Sequence, residues 1–124
     1  VFSRWLVEVA AAENCLIHDL VFLFVSDQEL LTMNKKYLKH NYFTDVITFG
    51  ELEDDKISGN IAISVDRVLD NSKRYGVSFD EELKRVMVHG LLHIIGYNDK
   101  TNKEKLTMSQ KETDALKMFH VKQV

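Results

Sequence analysis

Proline is absent from the chain, cysteine occurs once, and no apolar run approaches the ~20 residues needed to cross a bilayer as a helix. Each absence excludes something. With one cysteine, Cys15, no intramolecular disulfide and no cysteine metal cluster can form, which fits a reducing cytoplasm. Cys15 itself reads as a small core residue of an amphipathic helix. The pattern of a signal peptide is missing, and no membrane partner is expected. Val1 stands in place of a methionine, so we expect the original N-terminus to have been cut away. There is no repeat, linker or low-complexity segment, so residues 1–124 are expected to form one domain. A large positive charge is also lacking. The net charge of -3 argues against non-specific coating of nucleic acid and leaves a local basic groove open.

What is present is a chain of 124 residues, 45% hydrophobic and 28% charged, enough to bury a core. Trp5, Leu6, Val9 and Ala12 recur at helical spacing and predict a helix from Ser3 to about Asn14. The run HDLVFLFVS, residues 18–26, is β-branched and aromatic and reads as a buried strand. Ser26 and Glu29 form a capping box for a helix to about Leu38. TDVITF (44–49) reads as a short strand, GELEDDKISG (50–59) as an acidic turn and NIAIS (60–64) as a third strand. Ser64 is a cap for a helix ending before Gly76, Ser78 and Glu81 open the next helix, and Thr101 and Glu104 open the last. That last helix should run to about Val121 with Met108, Ala115, Leu116 and Phe119 inward. Strands interspersed with helices give an α/β or α+β domain with one small sheet.

The chemistry concentrates in MVHGLLHIIGYNDK, residues 87–100. His89 and His93 are one helical turn apart, about 6 Å of rise, and lean from one face. Gly96 can end the helix in a left-handed turn, and Asp99 can then swing back as a third ligand. Two imidazoles and a carboxylate leave a fourth position open for water, the arrangement of a catalytic zinc site. The bland alternative is a pair of half-buried histidines on an ordinary helix. Asn98 is the neighbouring alternative to Asp99, but a neutral amide is a poor zinc ligand. A carboxylate makes the site harder and opens it to manganese or magnesium as well. Gly90, inside the helix, points to close approach of a substrate or of packed backbone. Metzincin proteases have similar spacing but carry a glutamate base where Gly90 stands, which disfavours an amide hydrolase.

HGLLHIIGYND (89–99), MNKKYL (33–38), FTDVITF (43–49) and SGNIAIS (58–64) together resemble the YbeY family of metal-dependent endoribonucleases, over about Leu31 to Phe119. The resemblance implies an α+β (α/β-like) fold: a small, mainly parallel four-stranded sheet with about five helices and a central metal-bearing helix. It implies a cytoplasmic, single-strand-specific endoribonuclease that matures the 3′ end of 16S ribosomal RNA and serves ribosome quality control. Ribosomal RNA, the small ribosomal subunit and a ribosome-assembly GTPase are the implied partners. One divalent ion, zinc foremost, is the implied cofactor, on His89, His93 and Asp99.

Four positions depart from the family pattern. Asp99 stands for a histidine, Asn98 for an aspartate, Asn60 for an aspartate and Leu38 for an arginine implicated in catalysis. Leucine cannot grip a phosphate, so Lys39, with Lys36 or Lys35, is the replacement for that charge. Asp45, in the matched segment, is a candidate water-orienting carboxylate or else a strand-end polar group. Lys35, Lys36, Lys39 and His40 form a candidate RNA-contacting edge, or else a solvated helix face. The rival to a nuclease is a non-catalytic ribosome-assembly factor whose metal stabilises the last helix.

Overall fold

In the computed structural model, which describes residues 2–123, eight elements follow in the order α1 (Phe2–Ala12), β1 (Leu16–Val25), α2 (Asp27–Leu38), β2 (Val46–Glu53), β3 (Lys56–Ser64), α3 (Val65–Tyr75), α4 (Phe79–Ile95) and α5 (Asn102–Gln123). Among the described residues three strands form the sheet, in the order β1-β3-β2, not the four expected. β1 runs parallel to β3 while β2 is antiparallel to it, so the sheet is mixed rather than mainly parallel. The cause is local. β2 and β3 are joined by a two-residue turn, Asp54–Asp55, with φ of 51° and 63° at the two positions. Such a turn permits only an antiparallel hairpin. The acidic stretch read as one long turn is therefore mostly strand.

β1 also differs from the buried strand its composition suggests. It lies at the sheet edge, and Leu16, Val21, Leu23 and Phe24 are exposed. Only one side of it meets the main core, through Ile17, Leu20 and Phe22.

The two faces of the sheet bury different helices. Ile57, Ile61 and Ile63 of β3 alternate inward to meet α1, α3, α4 and α5 around Trp5, Val68, Leu91 and Phe119. Ala62 points the other way, to Ile47 and Leu30 of α2. In α1 the buried residues are Trp5, Leu6, Val9 and Ala10, with Ala12 outside, and Cys15 is buried just beyond the helix. The inward residues of α5 are the expected Met108, Ala115, Leu116 and Phe119. Trp5 Nε1 donates to Ala115 O at 2.7 Å and its ring meets Phe119 edge-on, which fixes α1 against α5.

The predicted caps are in place. Ser26 and Glu29 bond reciprocally, as do Thr101 and Glu104, while Ser64 and Ser78 accept from the amides of Arg67 and Glu81. Gly90 resolves toward packing. A Cβ there would lie 2.8 Å from Ile61 Cγ2, so its absence lets α4 lie close upon β3.

Candidate metal centre and its cleft

The close seating of α4 puts one of its faces along the end of the sheet. His89 and His93 project from that face with their Nε2 atoms 3.0 Å apart. After His93 the helix ends at Gly96, whose φ is 127° and whose amide turns back to Leu92 O and His93 O. The chain then reverses through a braced loop. Tyr97 donates its hydroxyl to Glu13 Oε1 at 2.5 Å, and the Lys100 and Thr101 amides donate to Glu104. This brings Asp99 Oδ2 to 3.2 Å from His89 Nε2 and 3.5 Å from His93 Nε2. Asn98, the alternative donor, is not among the residues that line the cleft.

His89, His93 and Asp99 are thus a group that could hold a metal ion. Donors about 2.0–2.2 Å from a tetrahedral zinc lie about 3.3 Å from each other, and the triangle found here has sides of 3.0, 3.2 and 3.5 Å. The protonation pattern also fits. His89 Nδ1 lies 2.6 Å from Glu112 Oε2, and with that carboxylate ionised Nδ1 carries the proton. Nε2 is left with its lone pair toward His93 and Asp99, the arrangement of a carboxylate–histidine–metal relay. Arg85 holds the other Glu112 oxygen at 3.1 Å.

The field at the site favours a cation. Burial alone would lower the His89 pKa, yet Glu112, Asp99 and Asp45 together raise it above its ordinary value. Asp45, on the strand-end segment before β2, is driven the other way from an ordinary carboxylate. Burial raises its pKa against the opposing pull of His89. Its backbone oxygen accepts from Ser64 N at 2.9 Å, and Asn71 Nδ2 donates to Oδ2 at 3.5 Å.

The triad and Asp45 line a cleft of about 400 Å³, walled on the far side by Asn34, Leu38, His40 and Tyr42. Asn34 is buried and donates to Tyr42 O, which pins the loop after α2. The His40 and Tyr42 rings stack, and His40 Nδ1 is 2.9 Å from the Tyr42 hydroxyl. Lys39 caps α2 in the left-handed conformation and, with Lys35 and His40, lines a shallow depression beside the cleft. His40 belongs to both walls; Lys39 does not line the metal cleft itself. Lys36 instead lies 5.2 Å from the Tyr37 ring.

Glu112 escaped the sequence, and so did the place of His40 in the cleft wall. Glu112 sits in α5, and only tertiary packing brings it to His89. His40 looked like part of a basic helix face, and nothing local showed that it would close the metal cleft.

The chain is similar to known proteins over most of its length. The family model described as Endoribonuclease YbeY matches residues 1–120. The Endoribonuclease YbeY of Karelsulcia muelleri (strain GWSS) is 49% identical over 111 residues, 90% of this chain and 79% of that one. That of Flavobacterium psychrophilum is 44% identical over 122 residues, 98% of this chain and 87% of that one. Among solved structures, a Thermotoga maritima protein studied in solution is similar with a TM-score of 0.69 and 27% identity, over 94% of this chain and 77% of that one.

Proposed function

Because the chain belongs to the Endoribonuclease YbeY family, we propose that it is a metal-dependent hydrolase that cleaves single-stranded RNA, with residues 1–124 acting as one domain. The observation that carries this reading is the His89–His93–Asp99 triangle set in a cleft that also holds Asp45 and His40. A bound divalent ion, zinc foremost, supplies Lewis acidity toward a phosphoryl oxygen and lowers the pKa of water.

The chain's own residues do the rest. Glu112 fixes the ring and tautomer of His89, and Arg85 fixes Glu112. Asp45, its carboxyl pKa already raised by burial, accepts the proton of the attacking hydroxyl at its carboxylate oxygen. Leu38 lines the cleft without charge, so His40 on the same wall donates to the phosphate in its stead. Lys35 and Lys39 lead the RNA backbone in from the adjoining depression, with Lys36 further out.

In the cell this reading gives a cytoplasmic enzyme trimming the 3′ end of 16S ribosomal RNA, in contact with the small subunit and a ribosome-assembly GTPase. Among the described residues no helix is long and apolar enough to cross a membrane. The second reading, a metal-stabilised assembly factor without catalysis, is favoured by the uncharged Leu38 in the cleft wall. An amide hydrolase is not favoured, since Gly90 is packed on Ile61 and offers no base.

The test is cleavage of matched single-stranded and duplex RNA, with and without chelator, with product ends mapped. Chelator-reversible cleavage of the single strand supports the enzyme. A cyclic or 2′/3′-phosphate identifies the ribose 2′-hydroxyl as the attacking group, and a 3′-hydroxyl identifies water. RNA binding without cleavage at any metal supports the assembly factor.

A further inference from the structure

Beside the metal cleft lies a second cavity of about 220 Å³ that shares Asp45 and His89 with it. One wall is α4, which presents Glu82 and Arg85 on the same helical face as His89. The other wall is the end of α3, with Asn71 and Tyr75.

Glu82 is the anomaly. It is only 3% exposed and lines this cavity, and its side chain makes no hydrogen bond or ion pair among the described residues. Arg85, whose charge acts on Glu82, directs its guanidinium to Glu112 at 3.1 Å. A buried carboxylate without donors is costly, so such a group calls for a ligand that brings them. Burial, with Asp45 and Glu112 nearby, also raises its pKa despite Arg85.

A metal ion does not answer that need. Among the described residues only His89, His93 and Asp99 gather ligand atoms within 4.8 Å of one another. The cavity suits a flat organic group with N–H donors on one edge. Tyr75, 59% exposed at the end of α3, lines the cavity, and aromatic rings are the usual platforms for unstacked RNA bases. Along α4, Glu82 precedes His89 by two turns, about 10 Å of rise. That is the reach of one nucleotide from its phosphate to the far edge of its base.

We propose that this cavity is a base-recognition pocket for guanine in single-stranded RNA, with Glu82 accepting from N1–H and the 2-amino group while Tyr75 stacks on the ring. It rests on the nuclease reading above and adds a substrate preference to it. Guanine fits because its two donors are adjacent and match the two carboxylate oxygens. Adenine and cytosine place a ring acceptor beside their single amino group, and that acceptor would face the anion. Uracil flanks its one N–H with carbonyls.

The test uses uridine oligonucleotides with one central guanosine, inosine or adenosine, on zinc-supplied full-length protein. Inosine lacks only the 2-amino group. Affinity by fluorescence anisotropy and mapped cleavage sites are the readouts. The parent should favour guanosine over inosine by on the order of tenfold, since a lost bidentate contact discriminates on that scale. In Glu82→Gln, nearly the same in shape, the preference should collapse to parity, while Tyr75→Leu should weaken all three strands. Equal binding and cleavage of the three strands by the parent overturns the pocket and leaves the nuclease standing. A guanosine preference that survives Glu82→Gln also overturns it. A protein that neither binds nor cleaves any strand overturns both readings together. The parent comparison needs no variant, so it decides the matter even if Glu82→Gln misfolds.

Discussion

Glu112 Oε2 and His89 Nδ1 lie 2.6 Å apart across 23 residues of sequence, joining α5 to the face of α4 that carries the candidate metal ligands. The contact orients the imidazole and sets which nitrogen is free. In Glu112→Gln the amide keeps the shape but loses the charge that favours an N–H at Nδ1. Metal affinity should fall about 10–100-fold, as such outer partners typically contribute. Competition titration with a chromophoric chelator measures it, and circular dichroism checks the fold. Unchanged affinity would mean that Glu112 serves only the ion pair with Arg85.

Gly90 lets α4 lie upon Ile61, where an added Cβ would come within 2.8 Å. Alanine would gain about 1 kcal/mol of helix propensity. Overpacking a core contact costs about 1–3 kcal/mol, more than that gain over most of its range. Gly90→Ala should therefore lower stability by about 1 kcal/mol and weaken metal binding as α4 lifts. Urea denaturation reads the first effect. A variant more stable than the parent would show that the helix seats without strain.

Asp45 yields a pH dependence with a definite sign. Its carboxyl pKa is higher in the folded chain than the ordinary ~3.9, because burial opposes the charge. The folded state therefore binds the proton more tightly than the unfolded chain. Its favourable share of stability is full below the unfolded pKa and is lost as pH rises through the folded one. At pH 7 the metal-free Asp45→Asn protein should be more stable than the parent, with the gap closing toward pH 4. Thermal melts across that range in chelator check it, and a gap that widens toward low pH would reverse the assignment.

Much of this was legible locally. Serine and threonine caps with an acid three residues on marked three helix starts, and the spacing of His89, His93, Gly96 and Asp99 marked the triad, because a helix turn and its stop are encoded within a few residues. What failed was non-local. The exposure of β1 depends on which strand it pairs with, and its apolar composition says nothing of that. The acidic 50–59 stretch looked like loop because Glu51 and Glu53 lie on an exposed strand end, where charge does not oppose pairing. Glu112 is one acid among many on α5 until the helix is docked. His40 lies beyond the cap of α2, and its turn toward the cleft depends on Asn34 holding Tyr42.

The basic depression beside the cleft predicts a salt effect. Lys35 and Lys39 line it, and each phosphate contact with a single strand contributes about 0.7 to the slope of log affinity against log salt. Lys35→Ala/Lys39→Ala should bind single-stranded RNA more weakly whatever its sequence, with the slope flatter by about 1.4. An unchanged slope would move the RNA path elsewhere on the surface.

The central claim is that His89, His93 and Asp99 would hold one metal ion on which RNA cleavage depends, and the most direct measurement takes metal content and cleavage rate from the same preparations. Parent, His93→Ala and Asp99→Ala would be loaded with zinc, stripped of excess, and analysed for bound metal beside cleavage of one single-stranded RNA. The account predicts close to one ion per parent chain, loss of most bound metal in both variants, and cleavage falling in proportion. Full metal occupancy in either variant, or cleavage that persists in metal-free protein, would contradict it.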